Sequence, residues 1–196
     1  MLKVGITGNY FSGLDEVVYK CDKYYIPVFE ADLILRYLFY NNTETIIKIK
    51  NNFTKSVFTN NKLDLNNFND ANSFISLLKV VEVDLLRAYE SWRKMHKNQP
   101  FTLFKSQVLF EAGWNDWMNF NISVYRPDGV RINEIKHYFK MKTTDVHKMI
   151  ETEMNSLQKN RLANYTIHNY DGYYETVEHQ INAIRRNILT KTGEKV

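Results

Sequence analysis

Cysteine, proline and glycine are all scarce in this chain: one, three and seven of 196 residues. A single cysteine, Cys21, excludes an internal disulfide and suits a reducing compartment, so a cytoplasmic protein is expected, with Cys21 as a small buried hydrophobe. No stretch approaches the about eighteen apolar residues of a membrane span, so no membrane role is expected. The first residues carry no basic segment leading into an apolar run, so no secretory leader is expected either. His147, His168 and His179 lack metal-ligand spacing with cysteines or acids, and no serine or cysteine nucleophile constellation is visible. The net charge of +4 is too mild to argue for nucleic acid.

A hydrophobic share of 44% and a charged share of 24% describe a globular domain of ordinary size, with room for a small inserted subdomain. Abundant Asn, Lys, Ile and Tyr reflect an AT-rich genome, as in many phages, organelles or reduced bacteria. No internal repeat or low-complexity linker is present. Leu2 to Thr7 read as a buried strand ending at Gly8, followed by a helix from Leu14 to Lys23. "YIPVFEAD" gives a second strand, at a sheet edge because of Pro27. Apolar residues at helical spacing then mark a helix from Ala31 to Tyr40, modest helices around Ile46 to Phe58 in an asparagine-rich region, and a long helix from Ser73 to Lys97. "QPFTLFKSQVLFE" and "FNISVYRP" read as strands, with helices near Val130 to Phe139 and Thr144 to Asn160. "ANYTIHN" is a fifth strand, and "GYYETVEHQINAIRRNIL" a closing amphipathic helix. Strands alternating with helices predict an α/β fold with a mainly parallel sheet.

The N-terminal "GNYFSGLD" has the frame of a phosphate-binding loop. In such a loop glycines let backbone N–H groups wrap a phosphate, a lysine reaches the β and γ oxygens, and the next hydroxyl holds Mg²⁺. Gly8 and Gly13 keep the frame, with Asn9 and Ser12 among the interior residues. Leu14 stands where the lysine belongs and Asp15 where the hydroxyl belongs, with Glu16 following. Acids at a helix N-terminus are stabilising in themselves, and they repel phosphate.

Four segments in order resemble the dephospho-CoA kinase family over about Leu2 to Leu189. They are "VGITGNYFSG", "VFEADLILR", "VLFEAGW" and "KNRLANYTIHNYDG". The resemblance implies a three-layer α/β/α sandwich of the P-loop kinase type with a five-stranded parallel sheet. It implies a core of residues 1–40, 98–129 and 160–196, a helical substrate-binding insertion over 41–97 and a lid over 130–150. It also implies ATP and Mg²⁺ as cofactors and a nucleotide or CoA-like ligand. Asp32 matches the family's general base, with Glu30 replacing its companion aspartate. Arg36 matches an arginine that contacts substrate or pairs with that base, and Glu111 a glutamate at a strand's carboxyl end. Arg131, Lys140 and Arg161 are the candidates for phosphate contact. The family's proline before "VLFE" is Gln107, its histidine–proline pair falls at Lys79-Val80, and its lid arginines give way to the lysines of "KHYFKMK".

Three readings follow. The first is a dephospho-CoA kinase-like protein with impaired or lost phosphoryl transfer, acting as a binding or assembly module with a protein partner. The second is a working kinase for dephospho-CoA or a (deoxy)nucleoside monophosphate, with Lys20 or a lid lysine standing in for Leu14. The third is a phage- or complex-associated structural protein on a kinase scaffold.

Overall fold

A computed structural model describes residues 1–60, 62–68, 70–170 and 174–193. In chain order the elements are β1 (Leu2–Gly8), α1 (Leu14–Cys21), β2 (Val28–Glu30), α2 (Ala31–Asn41) and α3 (Thr43–Asn52). A hairpin of β3 (Phe58–Thr59) and β4 (Lys62–Leu63) leads to α4 (Ala71–Met95). Then come β5 (Phe101–Lys105), β6 (Phe120–Tyr125), α5 (Asp128–Phe139), α6 (Thr143–Glu151), α7 (Ser156–Leu162), β7 (Tyr165–His168) and α8 (Tyr174–Thr192).

The five-stranded parallel sheet has the order β2-β5-β1-β6-β7, so the strand that follows Pro27 lies at an edge, as its proline predicts. In the register Val4 faces Leu103, Ile6 faces Ile122 and Val124 faces Ile167. Side chains alternate across a strand, and these apolar residues share one face. There they pack against Leu14, Val17, Val18 and Cys21 of α1 and Val177, Ile181, Ile188 and Leu189 of α8. The opposite face carries smaller and polar residues. Ser123 Oγ donates to Asn160 of α7 at 2.8 Å, and Phe104 meets Trp114 and Trp117 edge-on. Helices therefore cover both faces, which is the only way a fully parallel sheet buries its backbone.

The chain divides into two compact units, Met1–Val28 with His96–Val196, and Phe29–Met95. The second unit groups α2 with α3 and α4. Within the second unit Phe39, Ile49, Leu77, Leu78, Val81, Leu85 and Tyr89 are buried. Asp84 of α4 ties down α3, accepting from Thr45 Oγ1 at 3.1 Å and Lys48 Nζ at 2.7 Å.

Two sequence expectations change. The strand begun at Phe101 stops at Lys105 instead of running through "QVLFE". Beyond the last sheet bond, Ser106 N to Ile6 O, the chain coils into turns closed by Ala112 N to Val108 O and Trp114 N to Leu109 O. Those turns bury Leu109 and Phe110 without a strand. The single helix expected over Thr144 to Asn160 is α6 and α7, because the Asn155 side chain accepts from Leu157 N and Gln158 N and starts a new helix. The first residues expected in the closing helix, Gly172 and Tyr173, lie outside the described residues, as does Asp171 of the "NYDG" motif.

Burial pushes the Cys21 thiol up to about 12, so it stays protonated and unreactive in the native chain. Ellman's reagent at about pH 8 should label Cys21 only after denaturation, and rapid native labelling would contradict this packing. On the surface, Lys23 donates to Glu178 of α8 at 2.7 Å, and this bond holds the Glu178 carboxyl below its usual range. A carboxyl depressed in the fold adds stability above its unfolded-chain pKa and loses it as pH falls through the folded value. Glu178→Gln should thus lower Tm at neutral pH, with the deficit fading in acid and in high salt. A deficit unchanged down to the lowered pKa would rule the pairing out.

Candidate phosphate-loop site

β1 delivers Gly8 to the carboxyl edge of the sheet, where open α/β sheets take their ligands. A tight turn follows, closed by Ser12 N to Asn9 O at 3.0 Å. Phe11 (φ 58°) and Gly13 (φ 79°) both adopt the left-handed region. Gly13 has a second reason to be glycine, since a Cβ there would lie 1.9 Å from Asn169 Nδ2. Asn169 buttresses the loop from the end of β7, donating from Nδ2 to Ser12 O at 2.9 Å and from its backbone to Tyr125 O at 2.8 Å. A Cβ on Gly8 would meet Ser12 Oγ at 2.3 Å; that hydroxyl is buried and has no hydrogen-bond partner among the described residues. Phe11 packs edge-on against Tyr138 and Phe139 at the end of α5.

The positions that would carry lysine and hydroxyl are put to other uses. Leu14 is 4% exposed and belongs to the hydrophobic core. Its spacing to Val17, Val18 and Cys21 is that of one buried helix face. Asp15 is exposed and ion-paired with Lys105 at the end of β5. Lys20 is drawn to Glu16 at 4.0 Å and Glu178 at 3.9 Å. Lys105, which sequence reading did not single out, is thus the cation paired with Asp15 in the first turn of α1.

An acid from elsewhere in the chain meets the loop. Glu153, in the connector between α6 and α7, accepts from the backbone N–H of Tyr10 at 2.6 Å. Its other carboxylate oxygen accepts from Arg131 Nη2. The same guanidinium donates from Nε to Tyr10 O at 2.6 Å and from Nη1 to Asp128 Oδ1 at 2.8 Å. Arg131 is 1% exposed and the Glu153 side chain 10%. Beside them Asn9 Nδ2 donates to Met154 O at 2.8 Å. Arg131, a phosphate-contact candidate in the sequence, lies at the loop, where its guanidinium bonds Tyr10 O, Asp128 and Glu153. Lys140 ends α5 in a left-handed conformation (φ 54°). Lys140 and Arg161 are exposed.

Glu111, on a turn beyond β5, is held in a second buried network. Lys159 of α7, 1% exposed, lies 2.9 Å from Glu111 Oε1 and donates to Gln107 O at 2.6 Å. Met154 N also donates to Glu111 Oε1, at 3.3 Å, and Thr7 Oγ1 donates to Gln107 O at 3.2 Å. Asp32 and Arg36 belong to the 29–95 unit. Asp32 is half-buried in the first turn of α2, and Arg36 is exposed one turn later. Among the described residues no cluster of three metal-ligating side chains occurs, and no helix is long and apolar enough to cross a membrane.

Removing one partner of a buried ion pair leaves an uncompensated charge. Lys159→Met should therefore destabilise the fold by about 3–5 kcal/mol in urea unfolding. Adding Glu111→Leu should recover much of that loss. A single-variant cost under about 1 kcal/mol would mean that the pair is solvated in solution.

Comparison with known proteins bears on the whole chain. The dephospho-CoA kinase family model matches residues 2–175. No curated protein sequence matches significantly. Among solved structures the chain is similar to a Thermus thermophilus protein, with TM-score 0.75 and 21% identity over 95% of this chain and 97% of that one. It is also similar to the dephospho-CoA kinase of Campylobacter jejuni, with TM-score 0.54 and 14% identity over 95% and 96%. A third is the shikimate kinase of Bacteroides thetaiotaomicron, with TM-score 0.53 and 10% identity over 94% and 98%. At these identities the structural likenesses speak for the P-loop kinase fold alone. With the family model matching residues 2–175 of its 196 residues, the chain belongs to the dephospho-CoA kinase family.

Proposed function

We propose that this chain is a dephospho-CoA kinase-like protein whose phosphoryl transfer is impaired or lost, and that it acts in the cytoplasm as a binding or assembly module. The observation that carries this reading is the hydrogen bond from the Tyr10 N–H to the Glu153 carboxylate, with buried Arg131 closing the other side. Donors that a kinase of this family would aim at phosphate are here satisfied by the protein. Leu14 is a core residue, and Asp15 presents negative charge at the first turn of α1. As they stand, these residues do not fit Mg-ATP. Loss of one aimed oxyanion donor typically lowers an acyl-transfer rate by about 10²–10³, and here a donor is engaged and repulsion added. Exposed Tyr10, Tyr138 and Phe139 beside the loop suit a protein partner, and a nucleotide or CoA-like molecule remains the small-ligand class that the family suggests.

A second reading, an active kinase with its cation displaced, draws on one specific contact, the Lys105–Asp15 pair beside the loop. In that reading Lys105, rather than Lys20 or a lid lysine, stands in for the missing charge. Steady-state assays of the pure protein with Mg-ATP and dephospho-CoA or a deoxynucleoside monophosphate separate the two. Turnover indistinguishable from background is expected. Rates in the ordinary kinase range of about 1–100 s⁻¹, abolished by Lys105→Met, would overturn the first reading in favour of the second.

A further inference from the structure

We infer that a cavity walled by the end of α2, by α3 and by the β3–β4 hairpin binds a small aromatic carboxylate, its ring among Phe39, Tyr40 and Phe58 and its charge on Lys62. The cavity lies wholly in the 29–95 unit and owes nothing to the reading of the loop after β1. Glu30, Asp32, Arg36 and Lys79-Val80 are the positions of this unit to which the family resemblance attaches substrate chemistry, and none of them lines it.

The cavity encloses about 340 Å³, within the roughly 300–1,000 Å³ of small-molecule pockets. Three of its lining side chains, Phe39, Ile49 and Leu63, are buried and make it apolar. Phe39 and Tyr40 meet edge-on, with centroids 6.5 Å apart and planes at 85°. A flat ring in that corner finds one face and one edge, the arrangement that aromatic groups prefer. Phe58 of the hairpin adds a third ring. The charge beside these rings is of one sign. Lys62 lines the cavity, and Lys50 Nζ lies 6.0 Å from the centroid of the Phe58 ring. Both lysines are exposed, and among the described residues neither has an ion-pair partner. Among the described residues no acid lines the cavity. An apolar, planar body with one anionic end is the ligand that complements this lining. A lysine ammonium acts as a compact point charge, which a single carboxylate answers.

The walls are held by bonds that do not draw on the lining side chains. Asn42 joins α2 to α3, and its Oδ1 accepts from Thr45 N at 2.9 Å. Thr45 and Lys48, which bind Asp84, then fix α3 on α4. The hairpin is closed by Asp64 N to Val57 O at 3.0 Å. Thr59 Oγ1 braces it by donating to Asp64 Oδ2 at 2.9 Å. A site whose backbone is set in advance spends little binding energy on ordering itself.

Methyl-resolved NMR of the full chain, titrated with naphthoate, tests this, with circular dichroism to verify that each variant is folded. Naphthoate should shift the methyl resonances of Ile46, Ile49 and Leu63 with a Kd below about 1 mM. The neutral alcohol analogue of naphthoate keeps the rings without the charge, and decanoate keeps the charge without the rings. Each should bind at least about tenfold more weakly. Lys62→Met should weaken naphthoate by about tenfold and leave the alcohol unchanged; Lys62→Gln replaces it if the methionine variant does not fold. No methyl shift with naphthoate overturns the site. An alcohol that binds as tightly as naphthoate, or a lysine variant that loses nothing, overturns the anionic end. Decanoate binding as tightly as naphthoate overturns the aromatic class. Dephospho-CoA that displaces naphthoate from these methyls overturns a site separate from the family's substrate chemistry.

Discussion

A guanidinium that is 99% buried has to be answered on all sides, and in this fold the answer organises the carboxyl edge of the sheet. Arg131 joins the loop backbone at Tyr10, the start of its own helix at Asp128, and the connector acid Glu153. Breaking any one of these leaves charge in a low-dielectric place, which is costly, whereas the complete set is self-consistent. Behind it the Lys159–Glu111 pair does the same for the turn beyond β5, and Met154 lies between the two, its carbonyl on Asn9 and its N–H on Glu111. Arg131, Lys159 and the Tyr10 N–H, gathered where an open α/β sheet takes its ligand, are thus bonded within the protein, while among the described residues Ser12 Oγ and Glu111 Oε2 stay buried without a hydrogen-bond partner.

The loop keeps the family frame at some positions and differs from it at others. The glycines at 8 and 13, the turn between them and the Asn169 buttress still shape a loop after β1. The residues that would give the loop its charge have been reassigned, Leu14 to the core and Asp15 to Lys105. Leu14 and Asp15 thus add no positive charge to a loop whose turn after β1 keeps the glycine frame.

Much of the fold could be read in the sequence because its signals are local. Short apolar runs marked the strands, Pro27 marked the edge, and the glycine frame marked the loop. The errors arose where a local pattern had two solutions. "VLFE" is apolar enough for a strand, yet the sheet ladder ends at Ser106 and Leu109 and Phe110 are buried on turns instead. Helical periodicity runs through Met154, but one asparagine cap divides it. Leu14 drew attention as a missing lysine, although its spacing to Val17, Val18 and Cys21 already marked it as core. Glu153 carried no signal, because its meaning depends on Arg131 and Tyr10, far away along the chain and brought together only by the fold.

The central claim is that a loop N–H is engaged by the protein's own carboxylate. It is tested most directly by native-state hydrogen exchange of the Tyr10 amide, followed by ¹⁵N-resolved NMR with and without saturating Mg-ATP. The account predicts a protected Tyr10 amide whose exchange rate and chemical shift do not respond to the nucleotide. Fast exchange typical of an exposed loop, or a shift on adding Mg-ATP, would contradict it and show a loop open to phosphate.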